Sequence, residues 1–136
     1  MRAEALRRRY LAEATVALTV AQLAVRFLPA AWVFARIGRA PRRIQRFRGE
    51  EIEWISWAVD TAASSPRMRA LCLPRAIAAQ SMLRRRGIAS RLCLGVARRD
   101  DGLIAHAWVE IGQDIIVGGA EAHGFTRIAQ FGKEAA

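Results

Sequence analysis

The sequence predicts an α+β fold in which N-terminal helices precede a cysteine-bearing helix packed on a small antiparallel sheet. Three observations predict it. Apolar residues recur at intervals of three and four up to Gly87, the period falls to two beyond it, and Asp100-Asp101-Gly102 and Gly112-Gln113 cut that second part into short strands. At 136 residues and 53% hydrophobic content the chain is long enough for one core and too short for two. It therefore reads as a single domain, 1–136, with a helical N-terminal region (1–48) and a core region (49–136).

Residues 2–27 form the first predicted helix, with Leu6, Tyr10, Ala14, Ala17, Leu18, Ala21 and Val25 at helical spacing, and Pro29 ends or kinks it. Residues 30–37 make a second short helix, closed by Gly38 and Pro41. The segment 36–48 carries six arginines and reads as a solvated arm suited to an acidic partner. Glu50 and Glu51 open a third helix, reaching about residue 63, where acids in the first turn suit the helix dipole. It offers Ile52, Ile55, Trp57, Val59 and Ala62 to the core, with Trp54 beside them. Ser64-Ser65-Pro66 breaks this helix, and a basic loop, 67–69, leads to Cys72.

Pro74 is tolerated only in a first helical turn, so it places Cys72 at the mouth of a fourth helix that ends at Gly87. Residues 90–97 alternate as a strand, 99–102 turn, and 103–111 form the next strand. Gly112-Gln113 is a two-residue connection from which 114–117 return antiparallel. Gly118-Gly119 stops that strand, and 125–131 are a last strand or a docking tail.

Composition narrows the function classes. Two cysteines twenty-one positions apart are not a disulfide framework, and no Cys/His spacing suggests zinc, so neither a metal nor a cofactor is expected and a reduced, cytoplasmic setting is the default. The net charge of +10 suits nucleic acid, anionic lipid or an acidic peptide, but no basic stripe with interleaved aromatics accompanies it. Binding of a protein or peptide partner is therefore preferred to nucleic acid. The apolar run 15–25 falls short of the roughly 20 residues needed to span a bilayer. It reads as a buried helix without stable membrane insertion.

At the mouth of a helix, orphan N–H groups and the positive end of the dipole favour an anion such as a thiolate, which makes Cys72 the candidate nucleophile. Cys93, in a strand between Leu92 and Leu94, serves as the ordinary buried cysteine for contrast. His106, in the middle of the second strand, shares a face with Ile104 and Trp108. If the Cys72 helix crosses that face, the imidazole can act as general base and acid to the sulfur.

A third group should orient the imidazole. Pairing across Gly112-Gln113 sets Ile111 opposite Asp114, Val109 opposite Ile116, and His106 beside Gly118 or Gly119, which have no side chain. Asp114 then lies about 20 Å from the histidine at ~3.3 Å per residue, as a turn residue. Glu121 is the favoured orienting side chain, with Asp114, His123 and the Asp100/Asp101 pair as alternatives. A backbone carbonyl competes with all of them.

Cys72-Leu73-x-Arg75-Ala76, Leu83-Arg84-Arg85-Arg86-Gly87-Ile88, Leu94-Gly95-Val96 and Ala105-His106-Ala107-Trp108-Val109-Glu110 together resemble the transglutaminase-like leader peptidases of lasso-peptide biosynthesis. The resemblance covers roughly residues 50–131. It implies a papain/transglutaminase-like core and a cysteine peptidase that removes the leader of a precursor peptide. Cys72 would attack the scissile carbonyl and offer its amide N–H to the oxyanion, and His106 would shuttle the proton. Trp54, Arg75 and Trp108 are the candidate substrate contacts. The chain resembles the split form, which implies a separate small leader-recognition protein and an ATP-dependent macrolactam cyclase as partners. The family usually has an Asp about twelve residues after the histidine, and here that position is Gly118. Two other readings stand beside this one: a transglutaminase-like acyltransferase, and a non-catalytic basic module binding an acidic protein or nucleic acid.

Overall fold

A computed structural model describes residues 2–37, 39, 49–65, 71–100, 102–122 and 124–132, with the side chains of Ala120 and Glu121 left out. The expected Gly38 and Pro41 stop, the bulk of the arginine-rich segment, and Pro66 with the 67–69 loop lie outside the described residues. The elements follow the order α1 (Arg2–Phe27), α2 (Ala30–Ile37), α3 (Gly49–Ala63), α4 (Cys72–Arg85), β1 (Arg91–Arg99), β2 (Gly102–Ile111), β3 (Asp114–Val117), α5 (Gly119–Ala122) and β4 (Thr126–Phe131). The fold is α+β, as the change of period predicts.

Helices α1, α3 and α4 pack on one another, and α4 lies on β2. The stripe of α1 that faces inward, Tyr10, Ala14, Ala17, Leu18 and Ala21, meets Ile52, Ile55, Ala58 and Val59 of α3 and Ala76, Ala79, Met82 and Leu83 of α4 in one apolar core. By length and composition α1 could cross a bilayer. That inward stripe is nevertheless occupied by protein.

Helix α4 ends as its glycine requires. Gly87 sits at φ +75°, its amide donates to Arg84 O, and the Ile88 amide reaches back to Leu83 O, both at 3.0 Å. This paired closure ends a helix in the left-handed region that glycine enters without a Cβ penalty. Gln80, buried on α4, donates from its side-chain amide to Ser90 O at 3.2 Å and Phe131 O at 3.1 Å. It thereby fixes the helix against the start of β1 and the end of β4.

The sheet has the order β3-β2-β1-β4, antiparallel throughout. Residues 126–131 are thus a true strand on the free side of β1, which resolves the choice between strand and tail. The β2/β3 register needs a correction. Ile111 does pair with Asp114, but an irregularity between Val109 and Glu110 brings Val109 opposite Val117, where unbroken pairing would give Ile116. The extra residue on β3 is a bulge, which a pairing rule of one-to-one steps does not anticipate. A single turn, α5, follows Gly118, where the sequence reads only as a stop.

Candidate active site

Cys72 is the first residue of α4, as Pro74 dictates. The N-cap is Leu71, in extended conformation, whose apolar side chain makes no capping bond. The first helical bond runs from Arg75 N to Leu71 O at 3.2 Å, and Pro74 has no N–H to offer. The amides of Cys72 and Leu73 are therefore among the donors that open at the mouth. Leu71 is 76% exposed, so this mouth faces solvent, while Cys72 is half-buried at the margin of the apolar core.

The other thiol has a different character. Cys93 is fully buried in β1, and its Sγ lies 3.3 Å from Glu110 Oε2. Burial, and then that hydrogen bond, push its pKa up to about 11. The chemistry of a thiolate is thereby closed to Cys93 near neutral pH.

His106 is buried in the middle of β2, and its Nε2 lies 3.0 Å from the carbonyl oxygen of Gly118. A carbonyl only accepts, so Nε2 carries the hydrogen and Nδ1 is the basic nitrogen of the neutral ring. Trp108 stacks on the imidazole with ring centroids 5.9 Å apart, and Phe125 closes on it at 5.2 Å. Gly118 has φ +81°, and a Cβ there would stand 3.0 Å from Ala107 O, 3.1 Å from Trp108 Cβ and 3.2 Å from His106 Nε2. The residue is glycine because its backbone closes on the histidine. The backbone carbonyl, one of the alternatives open in the sequence, is a group among the described residues that bonds the imidazole.

Of the side-chain alternatives, only Asp114 and Asp100 lie among the described residues. Asp114 is at the far end of β3, paired with Ile111. Glu121 is on α5, close along the chain to Gly118, and its side chain is outside the described set, as are His123 and Asp101. Asp100 is exposed in the β1–β2 turn at φ 51°.

The sequence expects α4 to cross the face of β2 that carries His106, and here the structure differs. Ala107, Val109 and Ile111 are the β2 residues that join α3 and α4 in the core, together with Leu92 of β1. Strand alternation then puts His106, Trp108 and Glu110 on the opposite face. Cys72 and His106 thus lie on elements that pack together but belong to different sides of the sheet. The reason is the pattern itself: the small apolar residues at odd positions of β2 fit a helix, and the bulky polar ones at even positions do not.

The even face of β2 carries a second feature that sequence reasoning missed. Glu110 is buried and accepts hydrogen bonds from Trp108 Nε1 at 2.7 Å, Arg91 Nη2 at 3.1 Å and Cys93 Sγ at 3.3 Å, and Arg127 also engages its Oε2. Burial alone would raise its pKa, but these bonds hold it down to about 2. Through Trp108 this cluster underlies the imidazole. Its signal in the sequence is faint: Arg91 and Glu110 become opposite neighbours only once β1 and β2 are paired.

The candidate substrate contacts divide. Trp108 is 4% exposed, with its indole under Gly95, so it supports His106 from below and does not meet solvent. Arg75 reaches from α4 to Asp60 of α3, Nη1 to Oδ1 3.8 Å. Burial raises the Asp60 pKa, and the charge of Arg75 opposes the rise. Trp54 stacks on Tyr10 at 5.8 Å and lines a cleft of about 820 Å³ between α1 and α3, with Trp57, Arg7, Arg8, Glu50 and Glu53. Among the described residues no cluster of His, Cys, Asp or Glu could hold a metal ion.

A family profile described as the transglutaminase-like superfamily matches residues 15–130. No curated protein sequence and no solved structure matches the chain.

Proposed function

Starting from the premise that the chain belongs to the transglutaminase-like superfamily, we propose that it is a cysteine peptidase that removes the leader from a lasso-peptide precursor. The observation that carries the reading is Cys72 as the first residue of α4, beside an exposed N-cap, Leu71, that makes no capping bond. A thiolate formed there meets the positive end of the helix dipole and nearby amide donors. Its sulfur attacks the scissile carbonyl, and the Cys72 amide N–H stabilises the oxyanion. His106 takes the thiol proton at Nδ1 and returns it to the leaving amine, and water then releases the acyl group from sulfur. Gly118 O holds the ring in the tautomer this needs.

For this chemistry the imidazole must meet the sulfur across the sheet. Among the described residues β3 pairs with β2 from Val109 to Ile111, so the described pairing stops short of His106 on that edge. We assign the approach to that edge. The motifs around Cys72 and His106 support leader cleavage over other transglutaminase-like chemistry, with a separate leader-recognition protein and a macrolactam cyclase as partners in the cytoplasm. Trp54 and Arg75 are the proposed substrate contacts, and Glu121 remains a proposed auxiliary to the Gly118 carbonyl.

The test is cleavage of the cognate precursor in the presence of the leader-binding partner. Cys72→Ala and His106→Ala should each abolish it with the fold intact by circular dichroism. Full activity in Cys72→Ala ends the reading. Mass spectrometry of the product decides the reaction type, because hydrolysis leaves a free leader carboxylate and acyl transfer leaves a new amide.

A further inference from the structure

On the outer face of α1 a stripe of apolar side chains is exposed. Val16, Val20, Leu23 and Phe27 fall at helical spacing on one stripe and are 62%, 60%, 53% and 70% exposed. The two hydroxyls beside them are turned inward to the backbone: Thr15 Oγ1 donates to Leu11 O and Thr19 Oγ1 to Thr15 O, each at 2.8 Å. Such back-bonding hides the polar part of threonine and leaves the methyl outward. The run 14–25 has no charge, and at its C-terminal end Leu28 and Trp32 add further exposed apolar surface.

Two exposed arginines close this end. Arg26 lies over the Phe27 ring at 5.6 Å and Arg36 over the Trp32 ring at 4.5 Å. Aromatic rings and guanidinium groups at one level are the composition that sits at the boundary of acyl chains and headgroups, with the ring in the apolar layer and the charge among anions.

We propose that this face of α1 is a docking surface for an anionic lipid membrane, on which the helix lies in the plane of the interface. Charge decides among the possible occupants. A second copy of this chain would bring +10 against +10, whereas an anionic leaflet attracts the arginines that flank the stripe. Packing decides the mode: Tyr10, Ala14, Ala17 and Leu18 of the inward stripe are held in the protein core, so only the outer face is available to lipid. The opposite side of α1 is already packed on α3 and α4, so the helix can lie on the surface while the domain stays folded.

The experiment is co-sedimentation of the full chain with vesicles of phosphatidylcholine alone and of phosphatidylcholine mixed with phosphatidylglycerol. The chain should bind the mixed vesicles and not the neutral ones. Val20→Asp with Leu23→Asp should lower partitioning about a hundredfold, from the loss of two apolar side chains at the interface. Arg26→Ala with Arg36→Ala should lower it about thirtyfold, on the anionic vesicles only. All four positions are exposed, so an unchanged thermal melt checks the fold, and Phe27→Ser serves as an independent variant of the same stripe. Failure to bind anionic vesicles overturns the proposal. So does binding that the aspartate pair and Phe27→Ser leave unchanged, which would reduce it to charge alone, and so does concentration-dependent self-association through the stripe in place of lipid binding.

Discussion

The Nε2 nitrogen of His106 is 3.0 Å from the carbonyl oxygen of Gly118, so a residue without a side chain takes part in holding the imidazole. This relationship makes the left-handed backbone at Gly118 part of the site. It also crowds out the aspartate expected by resemblance at that position: a side chain would meet Ala107 O, Trp108 Cβ and the imidazole itself within 3.2 Å.

Gly118→Ala should therefore lower stability by about 1–3 kcal/mol, combining the cost of a left-handed non-glycine residue with overpacking. Gly118→Asp should be at least as costly and should not raise activity. Thermal unfolding of the two variants checks this, and a neutral Gly118→Asp would return the third catalytic position to a side chain.

Glu110 is the single carboxylate that Arg91, Arg127, Trp108 and Cys93 all address. Glu110→Ala leaves the buried Arg91 without its counter-charge and should destabilise by about 3–5 kcal/mol in urea denaturation. Loss of the Trp108 anchor should also change the environment of His106, visible as a moved imidazole resonance in NMR. An unmoved resonance would separate the cluster from the site.

The same carboxylate gives the fold a defined acid limit. The folded pKa of about 2 lies below the ordinary glutamate value of 4.5. A depressed pKa contributes stability that is fully present above the unfolded value and is lost as pH falls through the folded one. Stability should thus decline between about pH 4.5 and pH 2, and Glu110→Gln should flatten that decline. Urea midpoints measured across this range decide it.

The two thiols should be distinguishable by alkylation. Cys93 is fully buried with a pKa near 11, and Cys72 is half-buried at a helix mouth. Iodoacetamide at neutral pH should label Cys72 in the native protein and Cys93 only after unfolding, as peptide mapping would show. If His106 serves the sulfur, His106→Ala should shift the pH profile of Cys72 labelling. Early labelling of Cys93 would contradict the burial of β1.

Gly95 tests the packing beneath the histidine. A Cβ there would stand 2.7 Å from Trp108 Cη2 and 3.0 Å from Thr126 O, between the indole and β4. Gly95→Ala should cost about 1–3 kcal/mol through displacement of Trp108. A thermal melt equal to that of the parent would show that the indole can move aside.

From the sequence came the order of α1 to α4 and β1 to β3, the limits of α4 and the place of Cys72. Pro74 and Gly87 act through their own φ restrictions, and hydrophobic period acts over a few neighbours, so these features need no distant partner. The bond from Gly118 to His106 could not be read the same way, because it uses a carbonyl oxygen that every residue possesses. The tertiary structure alone decided the bulge that shifts Val109 to Val117, the face of β2 that α4 covers, and the convergence of Arg91, Arg127 and Cys93 on Glu110. Each depends on strands brought together from distant parts of the chain, where one residue of register moves every side chain to the other side of the sheet.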